Sequence, residues 1–246
     1  MLDIKYYKKW FKEHLTTYKL KDDPMFLFKV KHTGDVLRIA TDLGKELRLN
    51  EEQQQLVKIS ALFHDLGRFY QYDKYQVYND AISCDHTKES MRILKETKIL
   101  DRLGEKKRDL VYAAISEHSY VEITPGFSDE ELLYIKVLRD SDKLANLPEM
   151  IAKIDELGVE ASGGIDATKV ACLLDGKSIN IKELPIKTKE DVVLYLLGWL
   201  NDLNLPESYS IVEKQGYLMQ LVNLLPVDDQ SIKLKEVMLQ RFQFAS

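Results

Sequence analysis

The stretch LFHDLGRF, residues 62–69, decides how the rest of the chain reads. A histidine directly followed by an aspartate, at the end of an apolar helical run, sets an imidazole nitrogen beside carboxylate oxygens. Those are donors that divalent transition metals accept. Working outward, His32 precedes this pair, while His86, His118 and Asp142 follow it. Four of the five histidines thus form one ordered series with two aspartates, each in a segment of helical or helix-end character. Six donors exceed what one tetrahedral zinc takes, so the number points to two metals. His14 lies outside the series, on a charged first helix, and is expected at the surface.

Around this series apolar residues recur at helical spacing nearly everywhere, and no long alternating strand pattern is present. The first helix is expected over 3–20, with Tyr6, Trp10, Leu15 and Tyr18 among its packing residues, and Asp23-Pro24 ends it. A second, over 26–47, carries His32, with Val36, Ile39, Ala40 and Leu43 at the spacing of a core stripe. Asn50 caps a third helix, with Gln53 at the reciprocal position. That helix delivers His64 and Asp65 at its end, where Gly67 suits a C-terminus. The tyrosine-rich stretch 69–82 reads as a loop over the site. Asp85 starts a helix to about 97 with His86 in its first turn, and a helix over 105–118 ends near His118.

Ser128 and Glu131 spell a capping box, with Phe127 and Leu132 as its staple, and the helix that follows carries Asp140 and Asp142. After Pro148 the pattern gives helices near 149–157, 166–174, 189–203, 208–223 and 229–243. No Gly/Ser-rich linker or repeat interrupts them. The expectation is a single all-α unit, residues 1–246, with a core over 26–150 and a helical C-terminal extension over 151–246.

Hydrophobic residues make up 45% of the chain and charged residues 30%, with a net charge of −5. That suits a soluble globular protein with a substantial core and argues against a nucleic-acid polymer as partner, which calls for a basic field. Residues 1–15 are charged and amphipathic, without the apolar centre of a signal peptide. The most apolar run, VVLYLLGWL at 192–200, is half the roughly 20 residues a bilayer span needs. Cys84 and Cys172 lie far apart and read as unpaired, reduced thiols, and Cys84 is expected to be small and buried rather than a metal ligand. The expectation is a cytoplasmic protein without a membrane segment.

The chemistry follows from the donors. Asp65 can bridge two metals through its two oxygens, with His32, His64 and Asp142 on the first and His86 and His118 on the second. Asp140 competes with Asp142 for that role. Water on such a centre ionises near neutral pH, and paired metals stabilise the entering and leaving oxygens of an in-line displacement. Phosphoester hydrolysis suits that arrangement best. Glu117 and Asp85 are candidates to orient the imidazoles. A tyrosine of the group Tyr70, Tyr72, Tyr75 and Tyr78 could stack on a base, although packing by amphipathic rings is the plainer role.

The segments KHTGDVLRIA (31–40), LFHDLGRF (62–69), SCDHTKES (83–90), ISEHS (115–119) and LRDSDKLAN (138–146) together resemble the HD-domain superfamily of metal-dependent phosphohydrolases. The resemblance implies an all-α HD-domain-like helical bundle with His32, His64, Asp65 and Asp142 as core metal ligands. His86 and His118 look like the additional pair of the subset that holds two metals. It also favours Asp142 over Asp140, because the family's last aspartate directly precedes a basic residue, here Lys143. Arg68 resembles the basic position after the HD pair that contacts substrate phosphate, and Lys143 is a second phosphate candidate. The implied cofactors are divalent ions, two of them, drawn from Fe, Mn, Zn, Co, Ni or Mg. The implied partner is a small phosphorylated substrate, with nucleotides as first candidates. A di-iron oxygenase and a nucleotide-binding sensor without turnover are the alternatives.

Overall fold

The computed structural model describes residues 3–156, 159 and 164–245. Among them there are helices and turns and no β-strand. They group into two compact units, residues 1–145 and 146–246.

The first unit opens with α1 (Ile4–Leu15), shorter than the expected 3–20, followed by turns. It buries Tyr7, Phe11 and Leu15, while Tyr6 faces out at 40% exposure. Leu15 packs as expected, whereas Tyr7 and Phe11 take the buried places expected of Tyr6 and Trp10, one residue earlier. Asp23 and Pro24 start α2 (Pro24–Glu46) rather than merely ending what precedes. The Asp23 carboxylate accepts from the Met25 N–H, and Pro24 occupies the first turn, where its missing N–H is harmless. Val36, Ala40 and Leu43 are fully buried along α2, with Ile39 beside them, as the stripe required.

The Asn50–Gln53 capping box opens α3 (Glu51–Phe63), which packs on α2. Phe63 at its end is the centre of an aromatic cluster, with Tyr7, Trp10 and Phe11 rings 5.6–6.4 Å away. That cluster anchors the HD segment from behind.

A further helix, α4 (Leu66–Tyr75), occupies the first half of the stretch 69–82 expected as a loop. Phe69, Gln71 and Tyr72 are buried on its inner face, so tertiary packing overrides the weak local helical signal. α5 (His86–Thr97) begins at Asp85, whose side chain accepts from the Lys88 N–H. α6 (Glu105–Glu117) packs on α3 and α5. The Ser128–Glu131 box starts α7 (Asp129–Ala152), with Ser128 N and Oγ both donating to Glu131 Oε2. α7 runs through Pro148, where a break was expected. Proline removes one backbone donor there without ending the helix. The expected end of this stretch at residue 157 lies outside the described residues.

The second unit contains α8 (Ala167–Leu174), α9 (Lys189–Asn201), α10 (Pro206–Gln215), α11 (Tyr217–Val222) and α12 (Asp229–Ala245). α10 and α11 divide the expected 208–223 helix at Gly216, whose φ of +67° is a left-handed turn that glycine adopts without strain. The apolar run of α9 is a buried core helix, with Val193, Leu194, Leu196, Leu197 and Leu200 at 0–1% exposure. No helix among the described residues is long and apolar enough to cross a membrane.

One buried ion pair ties α8 to α9. Lys169 Nζ lies 2.5 Å from Asp191 Oδ1 and donates to the Pro185 carbonyl at 2.9 Å. The other Asp191 oxygen accepts from the Lys187 and Thr188 amides. Burial pushes the Asp191 carboxyl up, but the Lys169 hydrogen bond and those two amides overcome it and hold the group below its usual range.

Candidate metal centre

All six donors of the sequence series meet in the first unit, and the helix ends explain how. His64 caps α3, and its Nδ1 faces the Ala61 carbonyl at 2.8 Å. A carbonyl can only accept, so Nδ1 carries the proton and Nε2 presents its lone pair to the interior. His118 repeats the device at the end of α6, with Nδ1 on the Ile115 carbonyl at 2.8 Å. His86, in the first turn of α5, places Nδ1 2.6 Å from Asp80 Oδ2. Three imidazoles therefore share one tautomer, each set by its Nδ1 acceptor. His32, in the middle of α2, turns Nε2 to within 3.0 Å of Asp142 Oδ1 on α7.

Asp65 stands at the N-terminus of α4, yet its side chain makes no capping hydrogen bond. It faces the imidazoles instead. Oδ2 lies 3.3 Å from His64 Nε2 and 3.8 Å from His32 Nε2. Oδ1 lies 3.5 Å from His86 Nε2 and 3.6 Å from His118 Nε2. Asp142, rather than Asp140, is the aspartate that meets His32 and His64, the latter at 3.7 Å.

These donors fit a cation. The Nε2 atoms of His32 and His64 are buried with no hydrogen-bond partner. The Nε2 atoms of His86 and His118 face each other at 3.4 Å, both with lone pairs presented if Nδ1 holds the proton. Two ligand atoms each bound about 2.1 Å from one metal sit roughly 3.0–3.4 Å apart in octahedral or tetrahedral geometry. The separations above run from 3.0 to 3.8 Å, within that range and slightly beyond it. His32, His64 and Asp142 form one group that could hold a metal, and His64, Asp65 and His118 another. The more exposed group of Asp80, Asp85 and His86 has a structural explanation, since Asp80 holds the His86 ring and Asp85 caps α5.

The electrostatics agree with the geometry. Burial pushes the Asp65 carboxyl up, but the Lys29 ammonium and the His64 and His118 imidazoles hold it well below the usual carboxylate range. Asp142 behaves alike: burial raises it, and the His32 and His64 rings lower it further than burial can lift it. Burial pushes His64 down, yet Asp65 and Asp142 pull it above the ordinary histidine value. The negative potential that draws a proton there would draw a metal ion too. For His86 burial outweighs the pull of Asp80 and holds the ring below the ordinary histidine value.

Several side chains take other places than expected. Glu117 and Asp85 do not orient the rings. Glu117 accepts from the Thr124 amide and pins the turn after His118. Buried Arg139 clamps the same turn through the Glu117, Tyr120 and Val121 carbonyls. The orienting carboxylate is Asp80, in the tyrosine-rich stretch expected as a loop over the site. It is gripped by Arg68 NH1 at 2.6 Å and Gln71 Nε2 at 2.9 Å, and fully buried Gln71 also donates to Ser83 and the Cys84 carbonyl. Arg68 NH1 donates to Gln71 Oε1 at 2.8 Å as well, and its Nε lies 3.9 Å from Asp65 Oδ1. Lys143 follows Asp142 on α7 and is half-buried. Lys29, absent from the sequence reading, lies 2.6 Å from Asp65 Oδ2. Its position three residues before His32, on the same helix face, was the available signal.

Gly67 has a different role from a helix terminator. It lies inside the first turn of α4 with ordinary negative φ, where α4 crosses the start of α5. A Cβ there would stand 2.1 Å from the His86 carbonyl oxygen. Its N–H donates to Ser90 Oγ at 2.7 Å, and Ser90 Oγ donates to the His64 carbonyl at 3.0 Å. This stitch sets His86 against Asp65. Tyr72 and Tyr78 stack at 4.8 Å and bond Asp23 and the Met25 carbonyl, so these two rings pack the wall of the site. Cys84 is half-buried, and burial raises its thiol. His14 is half-buried rather than fully at the surface: it stacks on Trp10 at 4.7 Å and bonds Tyr18.

Residues 30–147, which hold all six donors, match the HD-domain family, and this segment of the chain is an HD domain. HD domains typically bind divalent metals, and the family is broadly one of metal-dependent phosphohydrolases. No curated protein and no solved structure matches the chain significantly.

Proposed function

We propose that the chain is a cytoplasmic phosphohydrolase that cleaves a phosphoester of a small molecule, a nucleotide being the first candidate, with two divalent metals. The observation that carries this reading is the division of Asp65: one oxygen faces His32 and His64, the other His86 and His118. In this reading His32, His64 and Asp142 would hold the first metal and His86 and His118 the second, with Asp65 shared between them. Bound divalent ions lower the pKa of a water molecule and draw charge from phosphoryl oxygens.

The chain's own residues supply the rest. Ala61, Ile115 and Asp80 fix the tautomers, so donor nitrogens are ready without reorganisation. Arg68 and Lys143 are the proposed phosphate contacts, as the family resemblance implies. For Arg68 the NH1 end is committed to Asp80, so contact falls to its Nε and NH2 edge. The test is phosphate release from a panel of nucleotides and simple phosphoesters with Mn, Fe, Co, Ni, Zn or Mg. Turnover that Asp65→Ala abolishes supports the reading, and no turnover with any metal contradicts it. The all-nitrogen-and-oxygen donor set also serves iron. A di-iron oxygenase is therefore the second reading, and oxygen consumption without phosphate release would favour it.

A further inference from the structure

We propose that Lys29 receives the substrate's phosphoryl group and biases the site toward phosphomonoesters over phosphodiesters; this rests on the phosphohydrolase reading above. Lys29 Nζ lies 2.6 Å from Asp65 Oδ2, the oxygen facing His32 and His64. Its other contact, the face of Tyr78 at 5.9 Å, is loose. Arg68 differs, because its NH1 serves three acceptors and steadies the Asp80 that holds His86. The Lys29 side chain is 14% exposed, so it forms a wall that solvent and ligand can reach. A lysine has a compact charge on a flexible stem. Its ammonium can leave a carboxylate for an incoming phosphoryl oxygen while α2 stays in place.

Charge balance then selects the substrate class. Arg68 offsets Asp80. With two divalent ions bound, Asp65 and Asp142 leave an excess of positive charge that Lys29 increases by one. Hydroxide together with a monoester dianion matches that excess. Hydroxide with a diester monoanion leaves one charge over, which a buried site tolerates poorly.

The test compares wild type, Lys29→Met and Lys29→Arg, each shown to be folded by thermal unfolding and then loaded with metal. Calorimetry gives the affinity for inorganic phosphate, and kcat/KM is measured on p-nitrophenyl phosphate and bis(p-nitrophenyl) phosphate. Losing one charged hydrogen bond should weaken phosphate binding in Lys29→Met roughly 10- to 100-fold. The preference for the monoester should fall by a similar factor, while Lys29→Arg keeps both within a few-fold. If Lys29→Met does not fold, Lys29→Gln replaces it with the same expectations. Phosphate affinity and ester preference equal to wild type in the neutral variant would overturn the role of Lys29. Wild-type protein that neither binds phosphate nor cleaves either ester would instead overturn the phosphohydrolase reading.

Discussion

Replacing Gly67 with alanine should damage stability and displace His86 from the candidate metal centre together. The added methyl carbon would stand 2.1 Å from the His86 carbonyl oxygen, 2.6 Å from the Ser90 nitrogen and 2.9 Å from Glu89 Cβ. Ordinary contact begins at 3.4 Å, so α4 must retreat from α5 by about 1 Å, and the first two obstacles are backbone that cannot rotate away. Overpacking of this kind costs roughly 1–3 kcal/mol. The retreat also stretches two buried hydrogen bonds, Gly67 N to Ser90 Oγ and Ser90 Oγ to the His64 carbonyl, each worth about 1 kcal/mol. Alanine's better helix propensity returns about 1 kcal/mol. The net loss is roughly 2–4 kcal/mol, which should lower Tm by about 5–15 °C. Urea unfolding gives the free energy, and metal analysis of the folded variant should show His86 displaced from Asp65 as reduced metal content. A Gly67→Ala protein within about 0.5 kcal/mol of wild type, with unchanged metal content, would refute the close helix crossing.

Other perturbations have equally definite outcomes. Asp80→Ala removes the group that orients His86 and should weaken metal binding at the His86 side of the candidate site about 10- to 100-fold, read by competition with a chelator. Lys169→Met leaves Asp191 buried without its cation and should destabilise the protein by about 3–5 kcal/mol in denaturant. The pH dependence of that pair has a fixed sign. Asp191 is held below its usual range, so its contribution is complete above the unfolded carboxyl value of about 4. The contribution fades as pH falls through the lower folded value. The gap in unfolding free energy between wild type and Asp191→Asn should therefore narrow in acid, and a gap that widens would contradict the pairing.

Local signals were the legible ones. Asn50–Gln53, Asp85 and Ser128–Glu131 announce helix starts because a cap needs only residues within one turn. The ordered histidines and aspartates were legible because donor chemistry narrows the choice of residue type. What escaped was set by contacts between distant segments. α4 forms because Phe69, Gln71 and Tyr72 find buried partners, which no short window reveals. Asp80 lies six residues before His86, and neither its hydrogen bond nor its grip by Arg68 and Gln71 leaves a periodic trace. Gly67 looked like a terminator because glycine's backbone freedom is its commoner use, whereas here its lack of a side chain matters.

The proposed two-metal centre has Asp65 joining two groups of imidazoles. Its most direct test is metal content per chain, by plasma mass spectrometry, for wild type, His118→Ala and His32→Ala after loading and removal of free metal. Two equivalents in wild type, falling to one in each variant, is the predicted result. A single equivalent in wild type that survives His118→Ala would contradict it and remove His86 and His118 from the ligand set.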